Sequence, residues 1–288
     1  MDSKDFLMQP ADVVGDEDRP PRLDYRDFQR SIVLLSNFRS GSHMLKLSLG
    51  KLAGMTTPAE PFNHGFAPEA GYTLKMYLSQ GGPRPSLMTE GHAALHHFMA
   101  RFYAQMPARR SIILDVKYPQ AYAFGVNASM QVPAAVPVIL EELHKLQMPF
   151  IHLTRRDQVA QAISLMVAED SGEYLVKSDS AGSAPQGRVL RLSPRDVLSR
   201  ARQLRNATEN ARMVLGALGV RQHEVTFEDL TSPSWRDHYR AIFRFINQYA
   251  DIPENYVSPT RAQDSSGKVA NLADIRSFVA ERDPVLNG

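Results

Sequence analysis

The sequence predicts an α/β fold, a mainly parallel sheet with helices on both faces. Three observations carry this expectation. Four short strand-type runs are spread along the chain: SIVLL (31–35), SIILDVKY (111–118), PFIHLTR (149–155) and HEVTFEDL (223–230). Helical segments fill the intervals between them, and those intervals are long enough for the right-handed crossovers that join parallel strands. Short polar turns containing Arg follow the first and third runs, at the strand ends where open α/β sheets bind ligands.

Each element follows in order. Residues 1–29 are polar, acidic and Pro-containing, and read as an irregular extension ahead of a single domain over 30–288. After SIVLL, the stretch SHMLKLSLGKLAG places Met44, Leu45, Leu47, Leu49 and Leu52 on a helical face that Gly54 closes. TTPAEPFNHGF (56–66) is a loop, and 71–78 and 90–106 have helical spacing. PVILEELHKLQ (137–147) is a helix, and DQVAQAISLMVAEDSG (157–172) is another that ends at Gly172. KSDSAGSAPQGR (177–188) has small residues and no apolar anchor, which predicts a mobile loop suited to act as a lid. SPRDVLSRARQLRNATENARMVLGALG (193–219) starts with Ser193 as cap and Pro194 at the first helical position. SPSWRDHYRAIFRFINQYA (232–250) repeats that Ser-Pro start. A polar loop, SPTRAQDSSGKVANLADI, and a short helix finish the chain.

Bulk properties restrict the function. The 288 residues, 43% of them hydrophobic, suffice for one sizeable core. Thirty-three Lys and Arg against 31 Asp and Glu give a net charge of only +2, too small for a general nucleic-acid surface. Anion recognition should therefore be local, in a pocket. With no Cys, disulfides, thiol catalysis and Cys-ligated metals are excluded. The first 22 residues lack the apolar core of a signal peptide, and no run approaches about 18 apolar residues. The expectation is a cytoplasmic protein with no transmembrane segment, a location compatible with a substrate at a membrane surface.

The turn SNFRSGSHML (36–45) is the first candidate site. The amides from Arg39 to His43 would lie at a helix N-terminus, without intrahelical partners and in the positive field of the helix dipole. Gly41 permits close backbone approach, Ser40 and Ser42 offer hydroxyls, and Arg39 offers a permanent planar charge. The pattern is neither a Walker loop nor G-x-G-x-x-G. Alone, R-S-G-S reads first as a plain strand-to-helix turn. A second segment, TRRDQVAQAIS, sets Arg156 at a strand end and Ser164 eight residues on, about 12 Å along a helix axis. The two would grip a second phosphate if the Arg156 side chain folds over the helix; otherwise they are a basic residue before a helix and a polar residue on its face.

RSGSHML after a strand, RRDQVAQAISL after another, and VTFEDL before a helix together resemble sulfotransferases that use 3′-phosphoadenosine 5′-phosphosulfate (PAPS). The likeness is nearest to bacterial carbohydrate sulfotransferases of the trehalose 2-sulfotransferase and nodulation-factor types. It runs in family order from about residue 31 to 275. It implies a P-loop-like sulfotransferase fold, PAPS as co-substrate, adenosine 3′,5′-bisphosphate as product, no metal requirement, and a hydroxyl of a carbohydrate or glycolipid as acceptor. The first motif resembles the 5′-phosphosulfate loop. The second resembles the 3′-phosphate site, with the Arg156-to-Ser164 spacing of that family. DVKYPQ (115–120) resembles a segment after a central strand of the trehalose-type enzymes. SSGKVANLADI (265–275), with Ser266, Gly267 and Lys268, resembles the loop that closes over the 3′-phosphate; Arg261 lies just before it. In trehalose-type enzymes a Glu after the first helix serves as base, a position that Glu60 of PAEPF occupies here. Three departures stand out. Phe38 stands where many relatives have Pro, Ser42-His43 follows the glycine in place of Thr or Ser-Thr, and Arg39 replaces the Lys of cytosolic members.

Other polar residues admit two readings. His64 is a second candidate base, and Lys117 at a strand end is either a contact to the transferring group or a solvated Lys. His92 and His96 in GHAALHHF have the i,i+4 spacing of a metal pair on a helix but no third ligand in the sequence, which favours surface or packing histidines. Trp235 reads as a packing residue. Two functions compete with sulfuryl transfer: a nucleotide phosphotransferase, disfavoured by the missing Walker Lys and magnesium carboxylates, and a non-catalytic protein retaining the fold.

Overall fold

The computed structural model describes residues 31–58, 60–63, 73–80, 91–106, 111–127, 135–172, 189–256 and 266–287. The expected N-terminal extension, the 177–188 loop, His64 and Arg261 lie outside these residues. Four parallel strands form the central sheet: β1 (Ile32–Ser36), β2 (Ile113–Lys117), β5 (Phe150–Thr154) and β6 (Gln222–Thr226), in the order β2-β1-β5-β6. A two-stranded antiparallel pair, β3 (Val126–Asn127) with β4 (Val136–Pro137), lies apart from it and has no counterpart in the sequence reading.

Alternation along the strands divides the core. Ile32 and Leu34 of β1 face the side covered by α1 (Ser42–Ala53) and α9 (Trp235–Phe245), with Leu45, Leu49, Tyr239 and Ile242. Val33 and Leu35 face the opposite side. There α3 (Gly91–Ala104), α5 (Val138–Lys145) and the end of α7 (Pro194–Leu218) supply Leu95, Phe98, Ile139, Leu143, Val214 and Leu215. A third cluster joins α6 (Gln158–Ser171) and α7 to α10 (Leu272–Arg282) through Val159, Ile163, Val197, Ile275 and Val279. Each fully buried aliphatic side chain contributes about 1.5–3 kcal/mol. The two short helices before and after β2 are α2 (Leu74–Ser79) and α4 (Tyr118–Ala121).

Local chemistry moves several boundaries. HEVTFEDL is not strand throughout: it breaks at Thr226, because the Thr226 hydroxyl accepts from the Asp229 amide and Asp229 accepts from the Thr226 amide. That reciprocal cap starts α8 (Phe227–Thr231). Ser193 and Pro194 start α7 as expected. The second Ser-Pro pair does not start its helix: Ser234 is the cap of α9, so Pro233 lies outside it. No described helix is long and apolar enough to cross a membrane.

Candidate active site

The loop 37–41 leaves β1 and enters α1 in a strained form. Arg39 has φ 60°, a conformation that costs a non-glycine residue of order 1–3 kcal/mol. Three contacts hold it. Arg155 Nη1 donates to the Arg39 carbonyl at 3.1 Å, Gln161 Nε2 donates to the Phe38 carbonyl at 2.7 Å, and Arg39 Nε donates to Ser164 Oγ at 3.0 Å. Gly41 has φ 88°, and a Cβ there would come within 2.5 Å of the Phe227 ring. Glycine is therefore required twice, by conformation and by space.

Ser40 turns inward. Its hydroxyl donates to the Asn37 carbonyl at 2.9 Å and receives Gln161 Nε2 at 3.1 Å, so its side chain holds the loop. The N-terminus of α1 has no side-chain cap and no acid in its first turn. By contrast, Asp157 caps α6 and Ser193 caps α7. The first-turn amides of α1, Ser42 and His43 among them, thus have no side-chain acceptor from the cap residue and no acid in their own turn.

Lys117 ends β2 beside this loop and is 2% exposed. Its ammonium donates to Asp115 Oδ1 at 2.6 Å, to Ser36 Oγ at 3.1 Å and to Ser42 Oγ. Three donors meet three acceptors, which fixes the ammonium. Because Ser42 Oγ accepts from Lys117, its own proton is left to donate elsewhere. Asp115, with 0% exposure, also pairs with Lys46 Nζ of α1 at 2.8 Å. Burial alone would raise the Asp115 carboxyl, but Lys117 and Lys46 hold it below its usual range. The strand end therefore has two ammonium groups on one buried carboxylate beneath the uncapped helix, and the nearby Glu60 carboxylate balances the second charge.

Glu60 reaches the same place by strand register. Thr56 pairs alongside Ile112 at the sheet margin, with Thr56 N donating to the Ser111 carbonyl and Ile113 N to the Thr56 carbonyl. Further along the loop, Phe62 buries against Phe98 and Phe124. That path leaves Glu60 Oε1 3.7 Å from Lys117 Nζ. Gln120 of α4 aims the carboxylate: its Nε2 donates to Glu60 Oε2 at 2.8 Å while its Oε1 accepts from the Lys117 amide at 3.1 Å. His43 belongs to the cluster as well. Desolvation first, then the Lys46 and Lys117 charges, lower its imidazole below the ordinary value, against the opposing pull of Asp115 and Glu60.

The second phosphate motif is arranged differently from the sequence expectation. Ser164 meets Arg39, not Arg156. The Arg156 side chain is 56% exposed and lies against α8, with Nη2 2.9 Å from Asp229 Oδ1. Arg155, its neighbour, is the one that turns inward. Its guanidinium lies 4.8 Å over the Phe227 ring, and its buried Nε has no hydrogen-bond partner among the described residues. Burial lowers the Arg155 pKa. The N-terminus of α6 is filled by acids of the chain itself. Asp157 Oδ1 accepts from Ala160 N, and Glu228 accepts from the amides of Arg156 and Asp157.

The closing segment is tied to this edge. Arg276 of α10 clasps both carboxylate oxygens of Asp157, at 2.9 and 2.7 Å. Ser266–Lys268 forms a single 3-10 turn, Lys268 accepts from the Leu190 amide through its carbonyl, and among the described residues nothing lies within 4 Å of a Cβ at Gly267. Trp235 packs on Tyr239 and Tyr256, as a core residue does.

Sequence reasoning missed Arg155, Asp115, Lys46 and Gln120. The signal for Asp115 was present: an acid inside the apolar run SIILDVKY requires a buried cation. Gln120 was marked by Pro119, which opens a helix immediately after the strand and places the Gln three residues past Lys117.

No protein-family model matches the chain, and no curated protein matches it. Among solved structures, the sulfotransferase domain from the curacin biosynthetic pathway is similar over 88% of this chain and 91% of its own, with 14% sequence identity and a TM-score of 0.45.

Proposed function

We propose that this protein is an enzyme that transfers the sulfuryl group of PAPS to a hydroxyl of a carbohydrate or glycolipid. The observation that carries the reading is the Lys117 ammonium, buried beneath the uncapped start of α1, bound to Ser42 and 3.7 Å from the Glu60 carboxylate. A cation and amide donors at a strand end suit an anionic group in transfer, and a carboxylate on the open side suits removal of an acceptor proton. The motifs RSGSHML, RRDQVAQAISL and SSGKVANLADI support the choice of PAPS over other donors.

In the proposed reaction Glu60 takes the proton of the acceptor hydroxyl. The acceptor oxygen bonds to sulfur, and the bond between sulfur and the 5′-phosphate oxygen breaks. That oxygen leaves with the electron pair, as adenosine 3′,5′-bisphosphate. Lys117, Ser42 and the amides of Ser42 and His43 stabilise the charge that develops on the transferring and leaving oxygens, as positioning and electrostatics do in phosphoryl transfer. Gln120 positions Glu60. Arg39 with Ser164, together with Arg156, Arg155 and the Ser266–Lys268 segment, serves the nucleotide phosphates. No protein metal takes part in this scheme.

The test is turnover with sulfur-labelled PAPS and a panel of carbohydrate and glycolipid hydroxyl acceptors. Label should appear in an acceptor and be lost in Glu60→Gln. Transfer of phosphate from ATP to the same acceptors would favour the phosphotransferase. Tight nucleotide binding without transfer to any acceptor would favour the non-catalytic reading.

A further inference from the structure

On the face of the sheet opposite α1, two helices bring four ligand-type side chains together. His92 and His96 share one side of α3 by their i,i+4 spacing, and Glu141 and Glu142 lie on α5. His92 Nδ1 is 2.8 Å from Glu142 Oε1, and His96 Nε2 is 2.6 Å from Glu142 Oε2. His92 Nε2 is 3.9 Å from Glu141 Oε2. One ligand atom each from His92, Glu141 and Glu142 falls within 4.8 Å of the others. The third ligand that the sequence did not reveal is thus supplied by a helix about 50 residues away.

We propose that His92, His96, Glu141 and Glu142 bind a divalent transition metal of the zinc class, separate from the transfer site. Four ligand atoms about 2.0–2.2 Å from a tetrahedral ion stand roughly 3.3 Å apart. One ligand atom each from His92, Glu141 and Glu142 already lies within 4.8 Å of the others, and His96 Nε2 stands 2.6 Å from the second Glu142 oxygen, so side-chain rotation must bring the four to one centre. Two imidazoles with carboxylates select zinc, nickel or copper over magnesium or calcium, which prefer all-oxygen sets. A cation already sits at the spot: Lys145 Nζ lies 2.8 Å from Glu141 Oε1 and 2.8 Å from Glu142 Oε1. Its side chain is 54% exposed on a flexible stem, so a metal displaces it into water while the carboxylates exchange one positive partner for a stronger one. Bound metal would tie α3 to α5. Gly91, the first residue of α3, abuts the Phe124 carbonyl, where an added Cβ would meet it at 2.2 Å. The metal would therefore brace the wall behind the segment that carries Gln120.

The experiment is calorimetric titration of the chelator-treated full chain with zinc chloride, beside thermal melting with and without zinc. One zinc per chain is expected, with a raised melting temperature. His96→Ala, at a side chain 57% exposed, should fold normally and bind zinc roughly 10-fold or more weakly, as should Glu142→Gln. Lys145→Ala should bind as tightly as the parent or tighter, because it removes the competing ammonium. His238→Ala, on α9, should change nothing. Cobalt in place of zinc should give the visible bands of a tetrahedral site, and lose them in His96→Ala. Absence of stoichiometric zinc, parent-like affinity in His96→Ala, weaker binding in Lys145→Ala, or loss in His238→Ala would each overturn the proposal.

Discussion

Two helices begin at the same edge of the sheet, and they treat their first turns in opposite ways. The start of α1 has no side-chain cap, and buried Lys117 and Lys46 lie beside it on one carboxylate. The start of α6 is closed by Asp157, which Arg276 clasps, and by Glu228, while Arg156 lies outside on Asp229. The first is organised before any ligand arrives. The second satisfies itself, so a ligand phosphate there must exchange partners with Asp229. In the proposed enzyme the rigid edge is where charge develops during transfer, and the exchangeable edge is where the donor is recognised.

Substitutions at the rigid edge should have the largest effects. Glu60→Gln keeps the contact size but removes the base, and turnover at saturating nucleotide should fall by about 10²–10⁴-fold. Nucleotide affinity should change little. His64→Ala supplies the contrast: collapse there, with near-normal Glu60→Gln, would move the base to His64.

Asp115→Asn comes next. It leaves two buried ammonium groups without their shared carboxylate, and breaking such a pair costs about 3–5 kcal/mol. Denaturant melts should record that loss. The acid limit should shift too. The folded Asp115 carboxyl is held below its ordinary value of 3.8, so its contribution is present above 3.8 and is lost as pH falls through the lower folded value. Asp115→Asn should flatten that part of the stability profile. An unchanged melt would mean that the lysines do not need the carboxylate.

The loop itself should give a middle effect. Arg39→Ala removes a charge and the partner of Ser164, and should weaken adenosine 3′,5′-bisphosphate by about 10- to 100-fold. Arg156→Ala should cost less, about 3- to 10-fold, because the side chain gives up an exposed ion pair with Asp229 in order to bind. Equal losses at the two positions would erase the distinction between the edges.

The parts legible from sequence were those fixed by short-range pattern. SIVLL, PFIHLTR and the Ser193-Pro194 helix start follow from apolar runs and capping chemistry, and the structure has them. The turn after β1 was readable as well, because Arg, Gly and Ser between a strand and a helix form a local motif. The partners were not. Lys117 meets Ser42 across 75 residues, and Arg39 meets Ser164 across 125. No spacing rule reports such pairs. Arg155 and Arg156 show the limit most plainly. Adjacent identical residues at a strand end differ only in which way each side chain leaves the backbone, and Phe227 under one and Asp229 beside the other decide it. The break of HEVTFEDL at Thr226 was within reach, since Thr-x-x-Asp is a cap pattern, but the apolar Val-x-Phe alternation concealed it.

The most direct measurement compares adenosine 3′,5′-bisphosphate with adenosine 5′-monophosphate by calorimetry, in the parent and in two variants. A preference for the 3′-phosphate of roughly 10-fold or more is expected in the parent, from charge-assisted contacts at the Arg156 edge. That preference should shrink by about 3- to 10-fold in Arg156→Ala. In Lys117→Met it should persist while both nucleotides bind more weakly. Equal affinity for the two nucleotides in the parent, or a preference that survives Arg156→Ala and vanishes in Lys117→Met, would contradict it.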